Sequence, residues 1–201
     1  MITALLLIFD SSATWEKIGT RQNHSIWRVF VSYLLPLMLL SIAGESFGLL
    51  KFGMWEGDIL PRLVKPSQEL VIRYEAVKTL LDLLTIFGGA WVLKKVGEGF
   101  QRKHPYRDCF ATLGYSLGPF FLVRLLDGVP AINTWVCYSV GILLVLSALY
   151  TGIPRVMKPD PSNALGVYLI ASFSLIVITA LAQFLSLRVL EQKALVHGFS
   201  L

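Results

Sequence analysis

The chain has 201 residues, 55% of them apolar and 15% charged, with a mean hydropathy of +0.64. That composition excludes an ordinary soluble domain, since crossing ~30 Å of hydrocarbon takes about 20 mostly apolar helical residues and runs of that kind fill about half the sequence. The net charge of +5 is scattered between the apolar runs without a common face, which argues against nucleic acid and for anionic lipid headgroups as its counterpart.

Residues 1–27 form an N-terminal segment on the cytoplasmic side or in the interface. Met1–Phe9 is apolar, but no basic residue precedes it and no small-residue cleavage site follows, so a cleaved signal peptide is not expected. Asp10-Ser11-Ser12 offers a helix start ahead of Trp15, Glu16, Lys17 and Ile18. The expectation is a short amphipathic helix in the headgroup plane, with Trp15 as its anchor.

Five spans follow, at about 29–50, 74–96, 110–128, 132–152 and 164–187, making a membrane domain over 28–190 with a short tail at 191–201. Trp27 and Arg28 at one end of the first span, and Lys51 and Trp55 at the other, fit interfacial anchoring. Pro36 removes a backbone donor inside that span and leaves the Ser32 carbonyl under-bonded, so a kink is expected. The loop at 52–73, rich in Gly53, Gly57, Pro61 and Pro66, is expected to hold a short interfacial helix at most. Gly88-Gly89 in the second span reads as a packing face. The connection from Leu126 to Ala131 is too short for anything but adjacent antiparallel helices. The fold class is therefore all-α: a polytopic membrane helix bundle of five transmembrane helices with a short N-terminal amphipathic interfacial helix.

Lysine and arginine in short loops set orientation. With the N-terminus inside, ten basic residues collect on the inner face, chiefly Lys94, Lys95, Arg102, Lys103 and Arg107, against eight outside. The odd number of spans then puts the C-terminus outside.

Ionisable side chains inside spans cost a few kcal/mol each near the bilayer centre and need a partner or a purpose. Glu45, Lys78, Asp82, Arg124 and Asp127 approach one outer-leaflet level because the chain reverses at each span. They form an ion-pair network that fixes helix register, or their carboxylates bind a proton, a cation or a polar headgroup. Gly114 and Gly118 share a helix face, and Pro119 frees the Tyr115 carbonyl. Tyr150-Thr151-Gly152-Ile153-Pro154 reads as a helix ended by Gly152 with Pro154 just beyond, followed by a basic loop that faces headgroups or docks a partner. Cys109 and Cys137 lie at opposite ends of a hairpin and read as ordinary apolar cysteines. No HExxH, GxSxG or phosphate loop occurs, and His24, His104 and His197 are dispersed. No enzyme activity, cofactor or metal is expected.

Thr14-Trp15-Glu16, Tyr33 with Pro36-Leu37, and above all residues 113–170 with Gly114, Tyr115, Gly118, Pro119, Gly152 and Pro154 resemble the bacterial branch of the Yip (Ypt/Rab-interacting protein) family. The resemblance implies a five-span integral membrane protein of the bacterial inner membrane with its C-terminus outside. Eukaryotic members are associated with Rab GTPases, vesicle traffic and membrane shaping, but their acidic N-terminal Tyr-Gly-Pro motif is absent here, so Rab binding is not carried over. The expected role is a non-enzymatic protein that organises membrane or membrane-protein assembly. Its expected partners are membrane lipids, with other membrane proteins or a second copy of the chain as candidates. The alternative is a small oligomeric transporter or channel for a proton, cation or lipid-like solute.

Overall fold

The computed structural model describes residues 2–20, 25–56, 62–100 and 104–197. Arg21, His24, Gly57, Pro61, Arg102, Lys103 and residues 198–201 lie outside the described residues.

Five helices are long and apolar enough to cross a membrane: Ile26–Phe52, Gln68–Gly99, Tyr106–Gly128, Thr134–Met157 and Ala164–Leu190, here the first to fifth spans. They extend beyond the apolar runs because polar caps outside those runs start them. Ser67 Oγ accepts from Leu70 N at 3.3 Å ahead of the second span, and Asn133 Oδ1 accepts from Trp135 N at 2.8 Å ahead of the fourth. The fifth helix runs on to His197, past the point where a tail was expected. The loop after the first span carries no helix among its described residues. Instead β1 (Met54–Glu56) and β2 (Arg62–Val64) pair antiparallel, Trp55 opposite Leu63. Gly53 at φ 83° turns the chain into this ribbon, a conformation that suits glycine.

The third span is the axis of the bundle. It buries 78% of its apolar window, against 28 to 44% for the other four. The ribbon and the turn after Gly128 mark the distal end of the bundle; the N-terminal helices and the loop after Met157 mark the proximal end.

Glycines let the first span close on this axis. An added Cβ on Gly114 would meet Leu34 and Val29 at 3.2 Å, and one on Gly118 would lie 1.8 Å from the Tyr33 hydroxyl. That hydroxyl donates to the Tyr115 carbonyl at 3.2 Å, the group that Pro119 deprives of its helical donor. The two tyrosine rings stack obliquely with centroids 4.8 Å apart. In lipid such a carbonyl has no water to turn to, so Gly118, Pro119 and Tyr33 act as one unit. Pro36 distorts the first span in a particular way: the turn before it, Phe30–Leu34, widens into a π-helix, with Leu35 N reaching the Phe30 carbonyl.

Gly152 does not end the fourth helix, contrary to the sequence expectation. The helix passes through Pro154 in a second π-turn, Ile153–Met157, and ends at Lys158 in the left-handed region (φ 49°). Gly152 is small for a different reason: a Cβ there would lie 2.6 Å from the Trp15 ring. Trp15 is consequently not a headgroup anchor. It is fully buried and edge-on to Tyr115, with centroids 6.3 Å apart. It arrives there on α2 (Ser11–Gly19), which Asp10 caps by accepting from Ala13 N. Ser11 Oγ lies 2.7 Å from Thr151 Oγ1, and the Arg155 guanidinium donates to the Ser12 hydroxyl. The preceding helix, α1 (Ile2–Phe9), buries Ala4 and Leu7 and leaves Leu5, Leu6 and Phe9 exposed.

Replacing Tyr33 by Phe removes one hydrogen bond and should cost about 1 kcal/mol, whereas Gly118→Ala must displace the whole ring and should cost about 1–3 kcal/mol. Unfolding of the two variants in detergent measures both, with the alanine variant expected to be the weaker.

Candidate functional site

The five ionisable residues singled out in the sequence meet in one layer towards the distal end. Glu45 comes from the first span, Lys78 and Asp82 from the second, and Arg124 and Asp127 from the last turns of the third. The backbone makes this possible. A Cβ on Gly48 would fall 2.0 Å from the Gly128 carbonyl, and one on Gly128 would fall 2.6 Å from that of Gly44. The end of the third span therefore lies directly on the first, and Glu45, between those two glycines, points among the charges.

Lys78 Nζ donates to Glu45 Oε2 and, at 2.9 Å, to the Tyr74 hydroxyl. Tyr74 in turn donates to Glu45 Oε1 at 2.7 Å. Both ends of the Glu45 carboxylate are thus held, and Glu45, Tyr74 and Lys78 are all 3% exposed or less. Arg124 grips Asp82 with Nη1 at 2.8 and 2.9 Å from the two carboxylate oxygens. Asp127 lies between the two cations, 3.8 Å from Lys78 Nζ and 3.8 Å from Arg124 Nε. The Cys137 thiol, at the start of the fourth span, borders the same carboxylate. Such pairs are weak evidence for net stability, because desolvation offsets much of the attraction, but breaking one leaves a buried charge alone.

Glu75 and Tyr74 also belong to the layer and were not singled out. The Ser46 hydroxyl donates to Glu75 Oε1 at 3.2 Å. Two sequence signals bear on this: Glu75 stands three residues before Lys78, and Gly44 and Gly48 flank Glu45 at the four-residue spacing of close-packed membrane helices.

A narrow crevice opens beside the layer between the second, third and fifth spans, lined by Asp82, Thr85, Arg124, Thr179, Gln183 and Ser186. The Asp82 side chain is 15% exposed towards it. On the fifth span, Thr179 meets the Tyr138 hydroxyl at 3.1 Å, whereas the Gln183 amide nitrogen is buried with no partner. Among the described residues no group of three or more His, Cys, Asp or Glu is placed to hold a metal ion, and both cysteines are free and buried.

Gly114, Tyr115, Gly118 and Pro119 lie away from the charge layer, along the contact with the first span, and Gly152 and Pro154 lie beneath α2. None of these six touches the ionic cluster through a hydrogen bond or ion pair. Their geometry is that of packing surfaces.

Asp82→Asn or Arg124→Gln alone leaves a buried charge unpaired and should lower stability by about 3–5 kcal/mol. The double variant should lose much less than the two together. Thermal unfolding of all four proteins in one detergent closes the cycle and reads the coupling.

Searches of curated proteins and of solved structures found no significant match. A family model described as the Yip1 domain matches residues 5–183. That stretch takes in Trp15, the Tyr33–Tyr115 bond, the buried charges and most of the fifth span. With its five apolar spans, the chain is an integral membrane protein that belongs to the Yip1 domain family.

Proposed function

We propose that this protein is a non-enzymatic component that organises membrane, or the assembly of other membrane proteins, through helix–helix and lipid contacts. The observation that carries this reading is the place of the third span. A conduit through a single bundle would run where that helix lies, and that helix is the most buried of the five. Large apolar side chains instead face outward on every other span, among them Leu39, Ile72, Leu143 and Phe173, a surface suited to lipid or to the apolar face of a second membrane protein. At the proximal end, exposed Leu5, Leu6 and Phe9 on α1 give the protein an apolar face at headgroup level.

The proposed location is the bacterial inner membrane, with the proximal end cytoplasmic. Lys94, Lys95, Arg107, Arg155 and Lys158 belong to that end. Lys78 and Arg124, counted with the outer side from the sequence, are committed to buried pairs. Withdrawing them from the headgroup count strengthens the positive-inside bias.

Two experiments test this reading. In proteoliposomes, proton and alkali-cation flux should stay at the level of protein-free vesicles under gradients of either direction. Flux above that level, lost in a folded Glu45→Gln/Asp82→Asn variant, would establish the transporter alternative instead. In cells, a membrane-impermeant thiol reagent should label Lys65→Cys from outside and reach Lys158→Cys only after the membrane is opened; the reverse pattern inverts the topology.

A further inference from the structure

Glu75 differs from the other carboxylates of the charge layer. Glu45 is bonded to Lys78, Asp82 to Arg124, and Asp127 is shared between both cations. Glu75 forms no ion pair among the described residues. It is 6% exposed, its Oε1 takes one hydrogen bond from the Ser46 hydroxyl, and its Oε2 has no partner.

The charges that face it are mostly of its own sign. From the first span it faces Glu45 beside Ser46, from its own helix Lys78, and from the end of the third span Asp127. At this end of the fifth span, Arg188 lies over the Phe184 ring, 4.8 Å from its centroid. Among the described residues the layer holds four carboxylates, Glu45, Glu75, Asp82 and Asp127, and two cations, Lys78 and Arg124, and both cations already have closer partners than Glu75. Two negative charges are left without compensation in a region where an isolated buried charge is among the most costly things a fold can contain.

A positive charge from outside the chain resolves this, and its kind follows from geometry. A metal ion would need several ligands converging, and no such group exists among the described residues. A proton needs one lone pair. The unpartnered Oε2 supplies it, and an unpartnered oxygen on a neutral carboxyl costs less than one on a carboxylate.

We propose that Glu75 is a proton-binding site, taking its proton from water at the distal face of the membrane. The bound proton removes the repulsion between Glu75 and Glu45 and leaves a neutral carboxyl bonded to Ser46 where the first and second spans meet. Loss of the proton places two carboxylates of like charge across that contact. Proton occupancy of one side chain therefore sets how closely the two spans hold together at that level. This inference is independent of the organising role proposed above and holds equally for a protein that transports nothing.

The test is difference infrared spectroscopy on the full chain in proteoliposomes as the buffer is stepped from mildly acidic to alkaline. Wild type should lose the C=O stretch of a protonated carboxylic acid, and that band should move when the glutamate side-chain carboxyls carry heavy-carbon label. Glu75→Gln, whose amide oxygen can still accept from Ser46, should lack the band. Glu69→Gln, which alters an exposed acid nearly two turns earlier, should keep it. A folded wild-type protein with no glutamate-sensitive band, or a band that persists in Glu75→Gln, overturns the proposal. Should Glu75→Gln fail to fold, Ser46→Ala decides on the same band: its frequency must shift when the hydrogen bond to Glu75 is removed, and an unmoved band overturns the proposal as well.

Discussion

The structure depends on how closely the first span can approach the third. Two levels of contact set that distance, and each is a place where a side chain has been left off. Near the middle of the third span, Gly118 admits the Tyr33 hydroxyl to the carbonyl exposed by Pro119. Near the distal end, Gly44, Gly48 and Gly128 bring two backbones into direct contact. Helices in lipid gain little from hiding apolar surface, since the lipid is equally apolar, so close packing and internal hydrogen bonds must hold them together. Both kinds of contact occur here within one helix pair.

The charge layer follows from the second of these contacts. With the end of the third span pressed on the first, Arg124 and Asp127 come within reach of the second span, and Glu45 is directed at Lys78 rather than at lipid. The pairs are arranged as a chain, Asp82 to Arg124 to Asp127 to Lys78 to Glu45, closed by the Tyr74 hydroxyl. Three helices are thereby fixed in rotation as well as in depth, because a turn of any one of them would carry a charge out into hydrocarbon. The crevice beside Asp82 is the side on which this layer is least enclosed.

Much of this was legible in the sequence, and the failures have physical reasons. Span number follows from the length of the apolar runs, and the convergence of Glu45, Lys78, Asp82, Arg124 and Asp127 follows from alternating helix direction. Glu75 escaped because hydropathy alone places the start of the second span at Tyr74, which makes the next residue look interfacial; the Ser67 cap actually starts the helix well before it. Trp15 was misread because an aromatic residue near a chain end ordinarily marks an interface. Only the bare backbone of Gly152, distant in sequence, turns that site into an interior one. Pro154 after Gly152 has the pattern of a helix stop, yet a wider turn accommodates the ring and the helix goes on. The ribbon after the first span had no alternation long enough to be read, since each strand has three residues.

The two π-turns lie at the same, proximal end of the bundle, one entering the first span and one leaving the fourth. Each accommodates about one residue more than an α-turn, and one residue corresponds to about 100° of rotation around a helix. The pieces on either side of such a turn are therefore out of phase with each other. In the first span this lets Val29 address Gly114 below the wide turn while Gly44 and Gly48 address Gly128 above it. In a regular helix with the same residues Gly44 and Gly48 would sit about 60° and about 100° around from Val29, whereas one residue less of rotation brings Gly48 nearly into line with it. The wide turn thus works as a rotational joint, through which one helix serves two partner surfaces that its own pitch would otherwise keep apart.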